Sequence, residues 1–172
     1  MPTVSKQMDN ESLVELLSAF QDRQFWIKPW GDPGQLVDRR EKFDDSDIRL
    51  NFAKQPVGIN AGDILFVHRI NAAKLACIAK AVTPARELTP FEIMREPKLK
   101  RWPWVIEGKN LTPKFGRWWQ HCSLKTFALA AEYSRLNPPE AVNLGSLNHG
   151  NDKLKIPEAF ARFLIDAIVN IE

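Results

Sequence analysis

Three histidines, two cysteines and a run of aspartates are the residues of this 172-residue chain whose types could do covalent or metal chemistry. His68, His121 and His149 are far apart in sequence, and none stands at a metal-ligand spacing. His121 and Cys122 are adjacent, but a nucleophile and its base meet in space rather than through neighbouring positions. His68 and Cys77 could face each other across two strands, the arrangement that would suit a nucleotide hydrolase. A hydrogen-bonded structural histidine at a strand end is the simpler reading. Asp44-Asp45-Ser46-Asp47 has the oxygen-rich make-up of a divalent-cation loop and, more commonly, that of a charged surface loop. The chain has no glycine-rich phosphate loop of either common spacing and no Gly-x-Ser-x-Gly elbow. The expectation is a binding protein and not an enzyme, with no catalytic residues, no metal and no cofactor.

The residues suited to binding are aromatic, amide and basic. Trp30 follows Lys28-Pro29 and precedes the turn-forming Gly31-Asp32-Pro33-Gly34, so it stands just past a strand end. There it either offers a stacking face or plugs the mouth of a sheet. Asn51, beside Phe52 at another strand end, carries a donor and an acceptor that match a base edge, or else it satisfies local backbone. Charge is uneven. Asp9 to Arg49 holds ten acidic and six basic residues, whereas Arg95 to Lys125 holds eight basic and two acidic and four of the six tryptophans. Basic residues interleaved with aromatics suit phosphate and base stacking, or form a solvated rim over buried rings. Trp118 and Trp119 are adjacent, so at most one of them can be fully buried. The other is exposed or meets a partner, which makes the pair candidates for stacking.

These groups need strands to hold them. Asn60 to Val82 is the organising stretch: a turn, then Ile64-Leu65-Phe66-Val67, a break, then Leu75-Ala76-Cys77-Ile78-Ala79. Four consecutive apolar residues suit a strand covered on both faces. The two runs read as adjacent antiparallel strands of a small, strongly curved sheet, with Arg69 to Lys74 at its open end. Phe25 to Lys28 is a third strand, its pairing stopped by Pro29. Ile48 to Phe52 is a fourth. Trp102 to Gly108 is a fifth, with Trp102 and Trp104 read as core aromatics on one face. Helices are expected over Leu13 to Phe20, after Leu88-Thr89-Pro90, from about Ser123 to Leu136, and from Ile156-Pro157-Glu158 onward.

The organisation expected is a helical extension over 1–23, a barrel over 24–122 and packed helices over 123–172, all in one compact unit. Apolar content of 44% and charged content of 26% are ordinary for a soluble domain. No apolar run could span a bilayer, and the start has no secretion-signal pattern. With only two cysteines as well, a cytoplasmic location is expected.

The Phe25-Trp26-Ile27-Lys28 strand, the Gly62-Asp63-Ile64-Leu65-Phe66-Val67 strand and Ala76-Cys77-Ile78-Ala79-Lys80-Ala81-Val82 together resemble the PUA-like superfamily. The layout is most similar to EVE domains and their YTH relatives, with Arg101 to Val105 in the place of their closing strand. The resemblance covers roughly 24–111. It departs at Leu50-Asn51-Phe52-Ala53, where those domains carry a tryptophan or glycine motif, and at Pro29. It implies a mixed PUA-like barrel of about five or six strands, and the N- and C-terminal helices that decorate it in the expected α+β fold lie outside the pattern.

The function implied is a nucleic-acid reader that flips a methylated or hydroxymethylated base into an aromatic pocket at the barrel mouth. DNA is favoured over RNA, in a modification-dependent restriction or defence system with a separate effector nuclease. By position, Lys28, Trp30, Asn51, Phe52, Arg69, Ile70 and Asn71 would line the pocket. Lys98, Lys100, Arg101, Lys114 and Arg117 would hold phosphates. An RNA-binding module is the alternative within binding proteins, and a dimer through the first helix is a further expectation.

Overall fold

A computed structural model describes residues 22–32, 34–145, 147 and 153–171. The helix expected over Leu13 to Phe20, and the dimer it would make, lie outside the described residues. Among the described residues seven strands form one sheet: Phe25–Trp30 (β1), Asp47–Phe52 (β2), Ile64–Arg69 (β3), Lys74–Ala81 (β4), Arg86–Glu87 (β5), Trp104–Asn110 (β6) and Leu154–Ile156 (β7). They are hydrogen-bonded in the order β2-β6-β4-β3-β1-β7, with β5 also on β6. Four α-helices among the described residues decorate it, Pro90–Arg95 (α1), Pro113–Trp118 (α2), Thr126–Ser134 (α3) and Glu158–Val169 (α4). The fold is α+β, as expected, but the sheet is open, because β2 and β7 at its two ends do not pair. The additional strands β5 and β7 have two and three residues, too few to show a periodicity in sequence. No helix among the described residues is long and apolar enough to cross a membrane.

β3 is buried along its whole length and β4 over most of it. They pair antiparallel, with a bulge between Val67 and His68. The turn between them bends through Asn71 at φ 76° and Ala73 at φ 54°, a backbone region in which asparagine is at home. β1 lies parallel to β3 and runs on through Pro29 to Trp30, two residues past the expected stop at Lys28. The reason is local. β7 covers only Phe25 to Ile27, so from Lys28 onward that side of β1 is an edge, where a residue without an N–H is tolerated.

The parallel register is set by Asp63, just ahead of β3 and itself buried. Its carboxylate accepts hydrogen bonds from the Gln24 backbone N–H (3.1 Å), the Gln24 side chain (3.0 Å), Trp26 Nε1 (3.1 Å) and the Asn60 backbone N–H (2.8 Å). One side chain thereby joins the start of β1 to the start of β3. Asp63→Ala, which strands the buried Trp26 N–H, is expected to lower stability by about 3 kcal/mol in urea unfolding. Asp63→Asn should cost less, and equal losses in the two variants would remove this role from the carboxylate.

The C-terminal helices close the core. Phe160, Ala161, Leu164, Ile165 and Ile168 of α4 are buried, and Tyr133 of α3 packs on Phe160 at 5.1 Å and Phe163 at 5.6 Å between ring centroids. α1 starts with a reciprocal capping box between Thr89 and Glu92. Glu92 also takes ion pairs from Arg49 at 2.7 Å and Arg86 at 2.8 Å, while Glu107 on β6 takes both arginines as well. Arg86, the Thr89 backbone N–H and Arg49 hold the Glu92 carboxyl well below the usual carboxylate range. A carboxyl depressed on folding stabilises above its unfolded pKa, and that contribution is lost as pH falls through the folded value. Glu92→Gln should therefore flatten the acid limb of a Tm-against-pH profile; an unchanged acid limb would show that the pairing adds nothing.

Candidate functional site

Beyond the C-terminal ends of β1 and β3 lies a cavity of about 510 Å³. Its lining joins the end of β1, the outer part of β2, the segment 41–47 and the 3-10 turn Pro97–Arg101 with the residue that follows it. Two indoles stand on this lining, Trp30 and Trp102, each half-buried. Trp30 is held by an aromatic chain: its ring meets Phe43 edge-on at 5.3 Å, and Phe43 meets the fully buried Trp119 edge-on at 5.6 Å. Trp102 carries the Arg101 guanidinium 4.8 Å above its ring. Arg101 also pairs with Asp32, close after Trp30, so this one side chain connects the two indole-bearing segments.

Among the expected pocket residues, Lys28, Trp30, Asn51 and Ile70 line the cavity, whereas Phe52, Arg69 and Asn71 do not. Phe52 is fully buried, with the Lys28 ammonium 4.5 Å above its ring. Strand alternation explains the split: Leu50 and Phe52 point into the core and Asn51 between them points out of it. The Asn51 amide donates to the Trp102 carbonyl at 3.3 Å, which leaves its oxygen as the acceptor offered to a ligand. Lys28 is itself 5% exposed and donates to the Pro29 carbonyl at 2.9 Å.

Arg69 is a strut. Its guanidinium is 4% exposed and grips Glu41 with two bonds, 2.6 Å and 3.2 Å, while Nη1 donates to the Ile70 carbonyl at 2.8 Å. Gly31, at φ +108°, makes room for it, since a Cβ there would overlap the guanidinium. Asn71 fastens the same segment by donating to the carbonyls of Asp32 and Gln35. Both residues are therefore spent on the cavity wall instead of its surface. Arg69→Met is expected to cost about 3 kcal/mol in chemical unfolding and to expose the 31–43 segment to limited proteolysis. An unaltered digestion pattern would remove the strut.

The expected phosphate-binding residues divide between two places. Lys98 lines the cavity, 3.2 Å from Glu96, and Lys100 and Arg101 are exposed on the same 3-10 turn. Lys114 and Arg117 instead line a separate shallow depression with Asp44, Pro113 and Trp118. Trp118 is 58% exposed, but Trp119 is fully buried and donates from Nε1 to the Glu41 carbonyl at 2.9 Å, so it has no face for stacking. The cavity lining is not a basic surface. Lys28, Lys42, Arg49 and Lys98 are matched there by Glu41, Asp45, Asp47 and Glu96.

His68 and Cys77 lie away from the cavity and are fully buried. His68 Nδ1 shares a 2.7 Å hydrogen bond with Thr126 Oγ1, and burial pushes the Cys77 thiol well above its ordinary pKa. Sequence reasoning missed Trp102, Phe43 and the acidic 41–47 segment as cavity residues. Trp102 was read as a core aromatic on a strand. It instead follows a 3-10 turn, and the pair Pro97 and Pro103 bracketing it was the available signal.

A scan against protein-family models and a search of curated proteins return no match. Among solved structures, a hypothetical protein from Leishmania major is similar at TM-score 0.56 and 12% identity, over 86% of this chain and 96% of that one. The YTH domain of a Zygosaccharomyces rouxii protein, solved in complex with N6-methyladenosine RNA, is similar at TM-score 0.51 and 8% identity, over 88% and 90%. The fold resembles that of a YTH domain. At these identities the likeness concerns the arrangement of strands and helices alone.

Proposed function

We propose that the protein is a non-enzymatic reader that takes one modified base, extruded from a nucleic-acid strand, into the cavity flanked by Trp30 and Trp102. The observation that carries this is the cavity itself. Its volume of about 510 Å³ falls within the range of small-ligand pockets, and Trp30, Trp102 and the Asn51 amide stand together on its lining. Extruding a base costs a few kcal/mol of stacking, and aromatic faces at the receiving site offset about that much. The Asn51 oxygen would accept a hydrogen bond from the base edge, and Lys98 on the lining, with Lys100 and Arg101 exposed on the same 3-10 turn, would meet phosphates. A methyl group adds only a small apolar contribution, so preference over the unmodified base would be modest, about fourfold.

The resemblance to EVE domains favours DNA as the carrier strand and a modification-dependent restriction or defence system, in which a separate nuclease would cut. The structural likeness to a YTH domain bound to N6-methyladenosine RNA supports the second reading, RNA. One modified oligonucleotide in ribose and deoxyribose forms separates the two. Trp30→Ala should weaken binding of the modified oligonucleotide about tenfold or more, while loss of the edge contact with Phe43 lowers the thermal melt only modestly. Parallel losses of binding and folding would make Trp30 a core residue and remove the proposal's aromatic wall.

A further inference from the structure

The shallow depression on α2 is not explained by the cavity, although one segment borders both. Phe43 and Asp45 line the cavity and Asp44 lines the depression, so the 43–45 segment forms a ridge shared by the two. That ridge sits directly on α2. The Phe43 N–H donates to the Gly116 carbonyl at 2.9 Å, and a Cβ on Gly116 would overlap the Phe43 carbonyl. Across the ridge, Trp118 is the exposed member of the tryptophan pair, with the His121 ring beside it at 6.3 Å. Lys114 and Arg117 flank it on the same short helix, and the depression's one carboxylate, Asp44, is paired with Arg117 at 3.4 Å. An exposed indole with two cations beside it offers a stacking face and phosphate contacts together.

We infer that this depression is a second subsite, which takes a nucleotide flanking the extruded base, stacked on Trp118 with its phosphate held by Lys114 and Arg117. The inference rests on the reader proposed above and extends it from one base to a length of strand. Because the two sites share the 43–45 segment, a strand whose base enters the cavity would bring a neighbouring nucleotide to the depression.

The test compares two ligands, the modified mononucleotide and a short single-stranded oligonucleotide carrying it, titrated against wild type, Trp118→Ala and Trp118→Phe. The expected result for Trp118→Ala is about tenfold weaker oligonucleotide binding with unchanged mononucleotide binding. Trp118→Phe should recover most of that loss, because it keeps a stacking face. Lys114→Gln with Arg117→Gln should lower the salt dependence of oligonucleotide binding and not that of the mononucleotide. Equal oligonucleotide affinity in wild type and Trp118→Ala would overturn the subsite and leave the cavity proposal standing. An equal loss for both ligands would also overturn it, since Trp118 would then act through the cavity. Wild type binding neither ligand would instead overturn the reader itself.

Discussion

The parallel register of β1 on β3 is the constraint from which the site follows. Parallel strands end on the same side, and this register sets Trp30 beside Arg69. The indole that walls the cavity and the guanidinium that braces it are thus placed by one ladder. Asp63 holds that ladder at its other end, where four hydrogen bonds converge on a buried carboxylate. A one-residue slip would turn Lys28 and Trp30 to the opposite face of the sheet. The site's geometry therefore depends on a residue at the far end of the strands.

At the near end, irregular chain does the work that a closing strand would do in a barrel. Residues 34–46 run over the open end with little regular structure, and such chain needs partners for its backbone groups. Side chains supply them. Asn71 takes the carbonyls of Asp32 and Gln35, Gln120 those of Asp38 and Glu41, Trp119 that of Glu41, and Asn110 that of Phe43. Arg69 adds a nearly buried ion pair to Glu41. Several polar residues of this region thus serve as fasteners, so the proposed reader role falls to Trp30, Trp102, Asn51 and the nearby lysines. Asp45 and Asp47 on the lining have side chains that no hydrogen bond or ion pair among the described residues engages.

Much of this was legible in the sequence where burial is symmetric or alternation regular. Ile64 to Val67 and Leu75 to Ala79 read correctly as a central antiparallel pair because both faces are covered. The tryptophan pair also read correctly, as one ring buried and one exposed. Illegible features were those that depend on pairing distant in the chain. β7 has three residues and exists because β1 offers it an edge. Pro29 looked like a stop because its tolerance depends on where β7 ends. Phe52 looked like a wall because strand ends were read without deciding which face was inward, and Arg69 looked like a binding group because no local signal announces Glu41, 28 residues earlier.

The proposed reader takes a single base into the cavity lined by Trp30 and Trp102. The six tryptophan side chains report on it separately, since each indole N–H gives its own resonance in a nitrogen–proton spectrum of the labelled protein. Titration with a panel of free modified nucleosides should move the Trp30 and Trp102 signals for at least one member. The Trp26 and Trp119 signals, locked to Asp63 and to the Glu41 carbonyl, should stay in place. A panel that binds while leaving Trp30 and Trp102 unmoved, or that leaves all six signals unmoved at saturating concentration, would rule out base recognition in this cavity.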